Sequence, residues 1–211
     1  MRSAINKELD CSTLASNPLV IVISGPSGVG KDAILSRMKE RQCPFYFVTT
    51  MTTRQQRKTE TDRVDYHFVS VNEFQSLLRD NGLLESANVY GNWYGVPKQP
   101  VKEAISRGLY TIVKVDVQGA SNIRRILHEA VFIFINAPSM DELGNRLKSR
   151  CTETAADLLL RIQTAQSELK RISDFDYVVM NPCNEIESAI EDILAIVKAE
   201  KCRVKQRHID L

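Results

Sequence analysis

The apolar positions of the chain fall into two textures. Leu19-Val20-Ile21-Val22-Ile23 is an uninterrupted apolar run, which predicts a strand buried on both faces, as in a parallel sheet. It breaks into Gly25-Pro26-Ser27-Gly28-Val29-Gly30 and then enters a helical pattern with Ile34, Leu35 and Met38 on one side. Strand, glycine turn and helix form the first half of a βα unit. From about Cys43 to Pro97 the texture changes. β-rich pieces at 45–48, 66–69 and 83–90 surround one short helix near 71–78. After that the βα alternation resumes: a helix over 98–107, a strand over 110–115, a helix over 118–128, a strand over 131–135 and a helix after Pro138. A polar patch at 148–156 leads into a long helix reaching about Ile172. Its apolar face, read as core, holds Leu158, Ile162, Ala165 and Leu169, with Arg161, Glu168 and Lys170 elsewhere. A strand over 177–180 and a helix over 185–200 complete the pattern. The expected fold is α/β: a parallel-sheet core flanked by helices, with a small mixed lobe inserted after the second core strand.

Composition narrows this picture only slightly. A length of 211 residues with a hydrophobic fraction of 43% suits one compact unit with a real core. Residues 1–17 are polar and aperiodic, so a flexible extension is expected before a single domain over 18–211. The net charge of +2 carries no electrostatic footprint for nucleic acid or a membrane surface, and neither is expected as a partner. The longest apolar run is too short to cross a bilayer, and no apolar stretch near the start reads as a signal peptide. Cys11, Cys43, Cys151, Cys183 and Cys202 are scattered, without zinc-site spacing. Idle thiols in a reducing cytoplasm are the expectation.

The first chemistry lies in the glycine turn. Gly25-x-x-x-x-Gly30-Lys31 is a phosphate-loop pattern. Glycines let the backbone wrap close to phosphate oxygens with N–H groups inward at a helix N-terminus, and Lys31 adds a fixed positive charge. The pattern alone also fits an ordinary glycine-rich turn; its place between a buried strand and a helix favours phosphate binding. A hydroxyl residue should follow the lysine to reach Mg²⁺, but Asp32 and Ala33 stand there.

The loop Gly25-Pro26-Ser27-Gly28-Val29-Gly30-Lys31 resembles that of guanylate kinases. Further segments match that family in order and approximate spacing. They are Thr52-Thr53-Arg54-x-x-Arg57, Asp65-Tyr66-His67-Phe68, Leu84-Glu85, Gly91-Asn92-Trp93-Tyr94-Gly95, Asp116-Val117-Gln118-Gly119 and Val178-Val179-Met180-Asn181. The resemblance implies a P-loop NTPase-type core over 18–50 and 98–211, a GMP-binding lobe over about 51–97 and a helical lid over about 146–161. It implies transfer of a phosphoryl group from ATP, supplied with Mg²⁺, to GMP and to dGMP, by a monomer or homodimer. Gly25 through Asp32 would hold the ATP phosphates. Arg54 and Arg57 would grip the GMP phosphate with hydroxyls from Tyr66 and Tyr94. Glu85 would accept the paired N1–H and N2–H₂ donors of guanine, with Thr50 adding a hydroxyl contact. Asp116 would lie beside substrate ribose or phosphate. Lys31 and the lid arginines Arg146, Arg150 and Arg161 would be the catalytic charges.

Several positions depart from the family pattern. Asp32 replaces the loop hydroxyl, Lys114 the first aspartate of Asp-x-Asp, Val96 a Ser or Thr near guanine, and Ser149 and Cys151 two lid glycines. Asp32 and Lys114 read as a charge exchange: they pair as a salt bridge, or Asp32 reaches magnesium through water. Independent drift in an enzyme losing activity leads to the alternative, a catalytically impaired kinase-like binding module. An acceptor that is a sugar phosphate is disfavoured by Glu85, which would then have no guanine edge to satisfy.

Overall fold

The computed structural model describes residues 17–58, 60–89, 91–149 and 155–211. Its central sheet is built from β1 (Val20–Ser24), β2 (Tyr46–Phe47), β7 (Thr111–Lys114), β8 (Val131–Asn136) and β9 (Tyr177–Met180), all parallel in the order β2-β7-β1-β8-β9. β1 is central because every one of its side chains is buried. Alternation then sends its residues to opposite faces. Ile21 and Ile23 join Ile112, Ile133 and Ile135 against α1 (Lys31–Glu40) and α7 (Ile186–Lys201). Val20 and Val22 join Val113 and Phe132 against α3 (Lys98–Ser106) and α4 (Val117–Ile126).

Between β2 and α3 the chain builds a second sheet in the order β4-β3-β6-β5, from β3 (Met51–Thr52), β4 (His67–Phe68), β5 (Leu83–Val89) and β6 (Asn92–Pro97). Helix α2 (Val71–Arg79) lies against it. Its start is set by a capping box: Ser70 Oγ accepts from the Glu73 N–H at 3.2 Å while Glu73 Oε2 accepts from the Ser70 N–H at 2.8 Å. Phe74 of α2 is fully buried against Met51 and Leu83 and stacks on Trp93 at 5.8 Å.

Two strands escape the apolar pattern. β3 has two residues, too few to show alternation. β6 contains Gly95, a weak strand residue whose absent Cβ would stand 2.9 Å from both Leu83 and Phe74. The long helix also ends earlier than expected. α6 (Ala155–Leu169) gives way to a 3₁₀ turn at Ile172–Asp174, where Asp174 accepts from Arg171 Nε at 3.1 Å. Before it, α5 (Met140–Ser149) follows β8. Leu158, Ile162 and Ala165 of α6 do pack on the first core cluster.

The C-terminal residues fold back on the core. Ile209 is buried in the second cluster, and Gln206 Oε1 accepts from the Asn17 N–H at 2.9 Å. Glu200 is buried under Arg207 and Tyr177; burial pushes its carboxyl up, but hydrogen bonds from those two groups bring it down to about 2. The extension before Asn17, together with Cys11 and Cys151, lies outside the described residues.

Candidate active site

The loop between β1 and α1 turns on Gly30, whose φ of 98° lies in the left-handed region. A side chain there would also meet Asn181 Nδ2 at 2.5 Å. Asn181 is buried at the end of β9, and its Nδ2 donates to the Val29 carbonyl at 2.7 Å. This explains the Val-Val-Met-Asn segment, which sequence reasoning left without a role: its asparagine clamps the loop from behind. Arg146 acts on the same backbone, donating to Val29 O at 3.1 Å, to Asn181 O at 2.7 Å and to Glu142. The structure thus places Arg146 behind the loop and not among the cavity-lining residues.

In front of the loop a single cavity brings together Gly25, Ser27, Gly28, Gly30, Lys31 and Asp32 from the phosphate side. Thr50, Arg54, Arg57, Tyr66, Glu85 and Tyr94 reach it from the second sheet. Asp116, Lys114, Arg161 and Glu168 complete its wall. Of the residues expected from sequence, Pro26 and Val29 lend the loop backbone, and Arg150 lies outside the described residues.

Lys31 is half-buried. Its ammonium donates to the Gly25 carbonyl at 2.5 Å and the Pro26 carbonyl at 3.0 Å, and burial lowers its pKa against the raising influence of Glu168. The two departures beside it meet: Lys114 Nζ stands 2.5 Å from Asp32 Oδ1. Lys114 also lies 4.0 Å from the Tyr66 ring centroid, so one ammonium links the phosphate loop to the second sheet. Burial alone would lower the Lys114 pKa, but Asp32 and Tyr66 carry it upward, and the amine stays charged. Among the described residues no group of three or more His, Cys, Asp or Glu could hold a metal ion. A Mg²⁺ ion there would come with nucleotide phosphates and keep its waters, a mode that suits one half-exposed carboxylate such as Asp32.

On the second sheet, Arg54 donates to both oxygens of Glu60 at 3.0 and 2.9 Å and to Tyr94 Oη at 3.2 Å. Glu60 also accepts from the Arg57 N–H at 2.9 Å. Sequence reasoning missed Glu60, although an acid three residues after Arg57 was the available signal. Thr50 is buried and donates its hydroxyl to the Lys114 carbonyl at 3.1 Å. Val96 pairs with Glu85 in the strand register, but its side chain is in the second core cluster.

Glu85 is the unusual group. It is 6% exposed, and its Oε2 has no hydrogen-bond partner among the described residues. Burial, then the charge of Asp116, pushes its carboxyl up to about 8. Room for it comes from Gly119, where a Cβ would stand 2.9 Å from the Glu85 carboxyl carbon. Gly119 is fixed in turn by Asp116, the N-cap of α4, which accepts from the Gly119 N–H at 2.6 Å. The Asp-Val-Gln-Gly segment therefore seats the Glu85 carboxylate.

Glu168 requires a correction. Sequence reasoning set it apart from the inward face of α6, yet it lines the cavity. Residues 161, 165 and 168 form a stripe at helical spacing beside the core stripe, so Arg161 and Glu168 face the loop on either side of buried Ala165.

Comparison with known proteins agrees with this geometry. The model of the guanylate kinase family matches residues 17–200. Guanylate kinase 2, chloroplastic/mitochondrial, from Oryza sativa is 44% identical over 195 residues, covering 92% of this chain and 68% of the rice protein. Guanylate kinase from Clostridium tetani is 42% identical over 186 residues, 88% of each chain. The crystal structure of guanylate kinase from Anaplasma phagocytophilum superposes with a TM-score of 0.73 at 31% identity, covering 90% of this chain and 89% of that one. The chain belongs to the guanylate kinase family.

Proposed function

We propose that this protein transfers the γ-phosphoryl group of ATP to the phosphate of GMP, giving ADP and GDP in purine nucleotide metabolism. The observation that carries the reading is the buried Glu85 carboxyl, with an unpartnered oxygen in the same cavity as Arg54, Arg57 and the phosphate loop. Such an orphan is costly unless a ligand supplies donors, and guanine supplies two adjacent ones. Arg54, Arg57, Tyr66 and Tyr94 then hold the GMP phosphate, and the loop with Lys31 holds those of ATP. Phosphoryl transfer needs alignment and charge neutralisation more than covalent help. Arg161 already lines the cavity, Arg146 steadies the loop backbone, and Arg150 is retained as a lid arginine by resemblance. ATP would bring Mg²⁺, which would supply positive charge to the phosphates, and Asp32 is the loop carboxylate that would hold the hydrated ion. None of these contacts uses the ribose 2′-hydroxyl, so dGMP is a second acceptor. Cys43, Cys183 and Cys202 are free thiols, which suits a reducing cytoplasm.

The second reading, an impaired kinase-like binder, draws on the Asp32–Lys114 bridge beside the loop. Against it, the two changes compensate each other in charge and position, as independent drift would not require.

Calorimetric titration with GMP tests the acceptor seat without turnover. Arg54→Ala should weaken GMP binding by roughly ten- to over a hundredfold, from about 1.5–3 kcal/mol of charge-assisted contact. AMP should bind the parent chain far more weakly than GMP. Equal affinities for GMP and AMP, or an unchanged GMP affinity in Arg54→Ala, would contradict the reading.

A further inference from the structure

The cavity contains a carboxylate that phosphoryl transfer, as set out above, does not use. Glu168 projects from α6 into the cavity, whose wall it shares with Ser27 and Lys31 of the phosphate loop. Its Oε2 is out of solvent and has no hydrogen-bond partner among the described residues. The charges around it are Lys31 and Asp32 of α1, Asp116 at the start of α4 and Arg161 on its own helix.

Two ordinary roles fail. A general base has nothing to remove, because the acceptor is a phosphate monoester whose second pKa is near 6, so its attacking oxygen carries no proton at neutral pH. A purely structural ion pair would satisfy both carboxylate oxygens, whereas here one is orphaned and Lys31 is hydrogen-bonded to the Gly25 and Pro26 carbonyls. What remains is the position. An inward N–H of a phosphate loop is a seat for an anion, and in this structure a carboxylate with a buried, unpartnered oxygen lines the same cavity as Ser27, Gly28 and Gly30.

We infer that the Glu168 carboxylate holds the place of a nucleotide phosphate at the loop before nucleotide binds and takes up a proton when the phosphates of ATP or ADP enter. The proton comes from solvent and joins the carboxylate, turning a competing anion into an O–H donor to the incoming phosphate. The inference rests on the ATP reading of the loop. Burial pushes Glu168 up, Lys31 holds it down, and with Asp116 and Ser27 included it stands at about 7 before any phosphate arrives. Added negative charge can only drive it higher. Nucleotide affinity at the loop therefore falls as pH rises above about 7.

Glutamine at this position is a permanent neutral donor of the same shape. Relative to the parent, Glu168→Gln should bind ADP about tenfold more tightly at pH 8, where the free parent carboxyl is ionised, and within about twofold at pH 6, where it is protonated. The ADP phosphates titrate equally in both proteins, so the ratio isolates Glu168. Calorimetry at pH 8 in two buffers of different ionisation enthalpy should show close to one proton more taken up by the parent than by Glu168→Gln. On the parent alone the same titration at pH 8, where the ADP phosphates are already ionised, needs no variant and should show a net uptake close to one proton. An ADP affinity in Glu168→Gln that equals or falls below the parent's at pH 8, or a parent that takes up no net proton on binding ADP at pH 8, overturns the inference while leaving the ATP site intact. A parent chain that binds no ADP at either pH overturns the ATP reading, and this inference with it.

Discussion

Glu85→Gln is expected to lower kcat/KM for GMP by on the order of a hundredfold while leaving the KM for ATP near its parent value. An amide keeps one acceptor oxygen for the two guanine donors and turns an NH₂ toward the other, so one charge-assisted hydrogen bond is lost. The parent should also show a pH signature. With the free carboxyl at about 8, raised first by burial and then by Asp116, Glu85 is mostly neutral at pH 7. Guanine requires the ionised form, so GMP binding expels a proton and tightens with rising pH, by about fivefold from pH 7 to pH 8 for a single site. The glutamine variant should be flat over that interval. Stability should follow the opposite sign. A carboxyl raised in the folded state contributes stability that is fully present below its ordinary pKa of 4.5 and is lost as pH rises from there through about 8. Glutamine has no charge to desolvate, so the variant should melt no lower than the parent at pH 8. A variant with normal GMP kinetics would remove Glu85 from base recognition.

Lys31→Met should reduce kcat by about 10²–10³-fold, the loss seen when a pre-positioned charge is removed from a developing transition-state charge. Its effect on the fold runs the other way. The Lys31 pKa is lowered by burial, so the ionised amine is held in the loop at a cost that methionine does not carry. Thermal melting should therefore show a midpoint at or above the parent's alongside near-abolished turnover. A lower midpoint would mean that the hydrogen bonds to Gly25 and Pro26 carry the loop structurally. Turnover close to the parent's would place the transferring phosphates elsewhere.

Much of this was legible in the sequence because burial leaves a pattern. β1, β8 and the inward faces of α1 and α4 are continuous or periodic apolar runs, and the parallel sheet follows from them. β3 and β6 were not legible, since one has two residues and the other owes its place to a glycine that makes room for Phe74. In the site, Lys31, Arg54, Arg57, Tyr66, Glu85, Tyr94 and Asp116 were named from motifs, and the structure gathers all of them at one cavity. Apart from Glu60, whose partners Arg54 and Arg57 are near it in the chain, the residues that were missed act through partners distant in sequence. Asn181 clamps Val29, Gly119 clears space for Glu85, and Glu168 turns inward from a helix on which charge usually signals solvent. The Asp32–Lys114 pair could be suspected as an exchange of charge, but their approach across 82 positions of chain required the fold.

The central claim is that one cavity selects guanine through Glu85 and passes a phosphoryl group from the loop of Lys31 to the phosphate beside Arg54. The direct measurement is ADP release, coupled to a reporter, from ATP and Mg²⁺ with GMP, dGMP, AMP, CMP or UMP as acceptor at equal concentration. GMP should be turned over, dGMP should follow measurably, and AMP, CMP and UMP should lie at least about a hundredfold lower in kcat/KM. ADP release with GMP no faster than without any acceptor, or AMP used as well as GMP, would contradict the account.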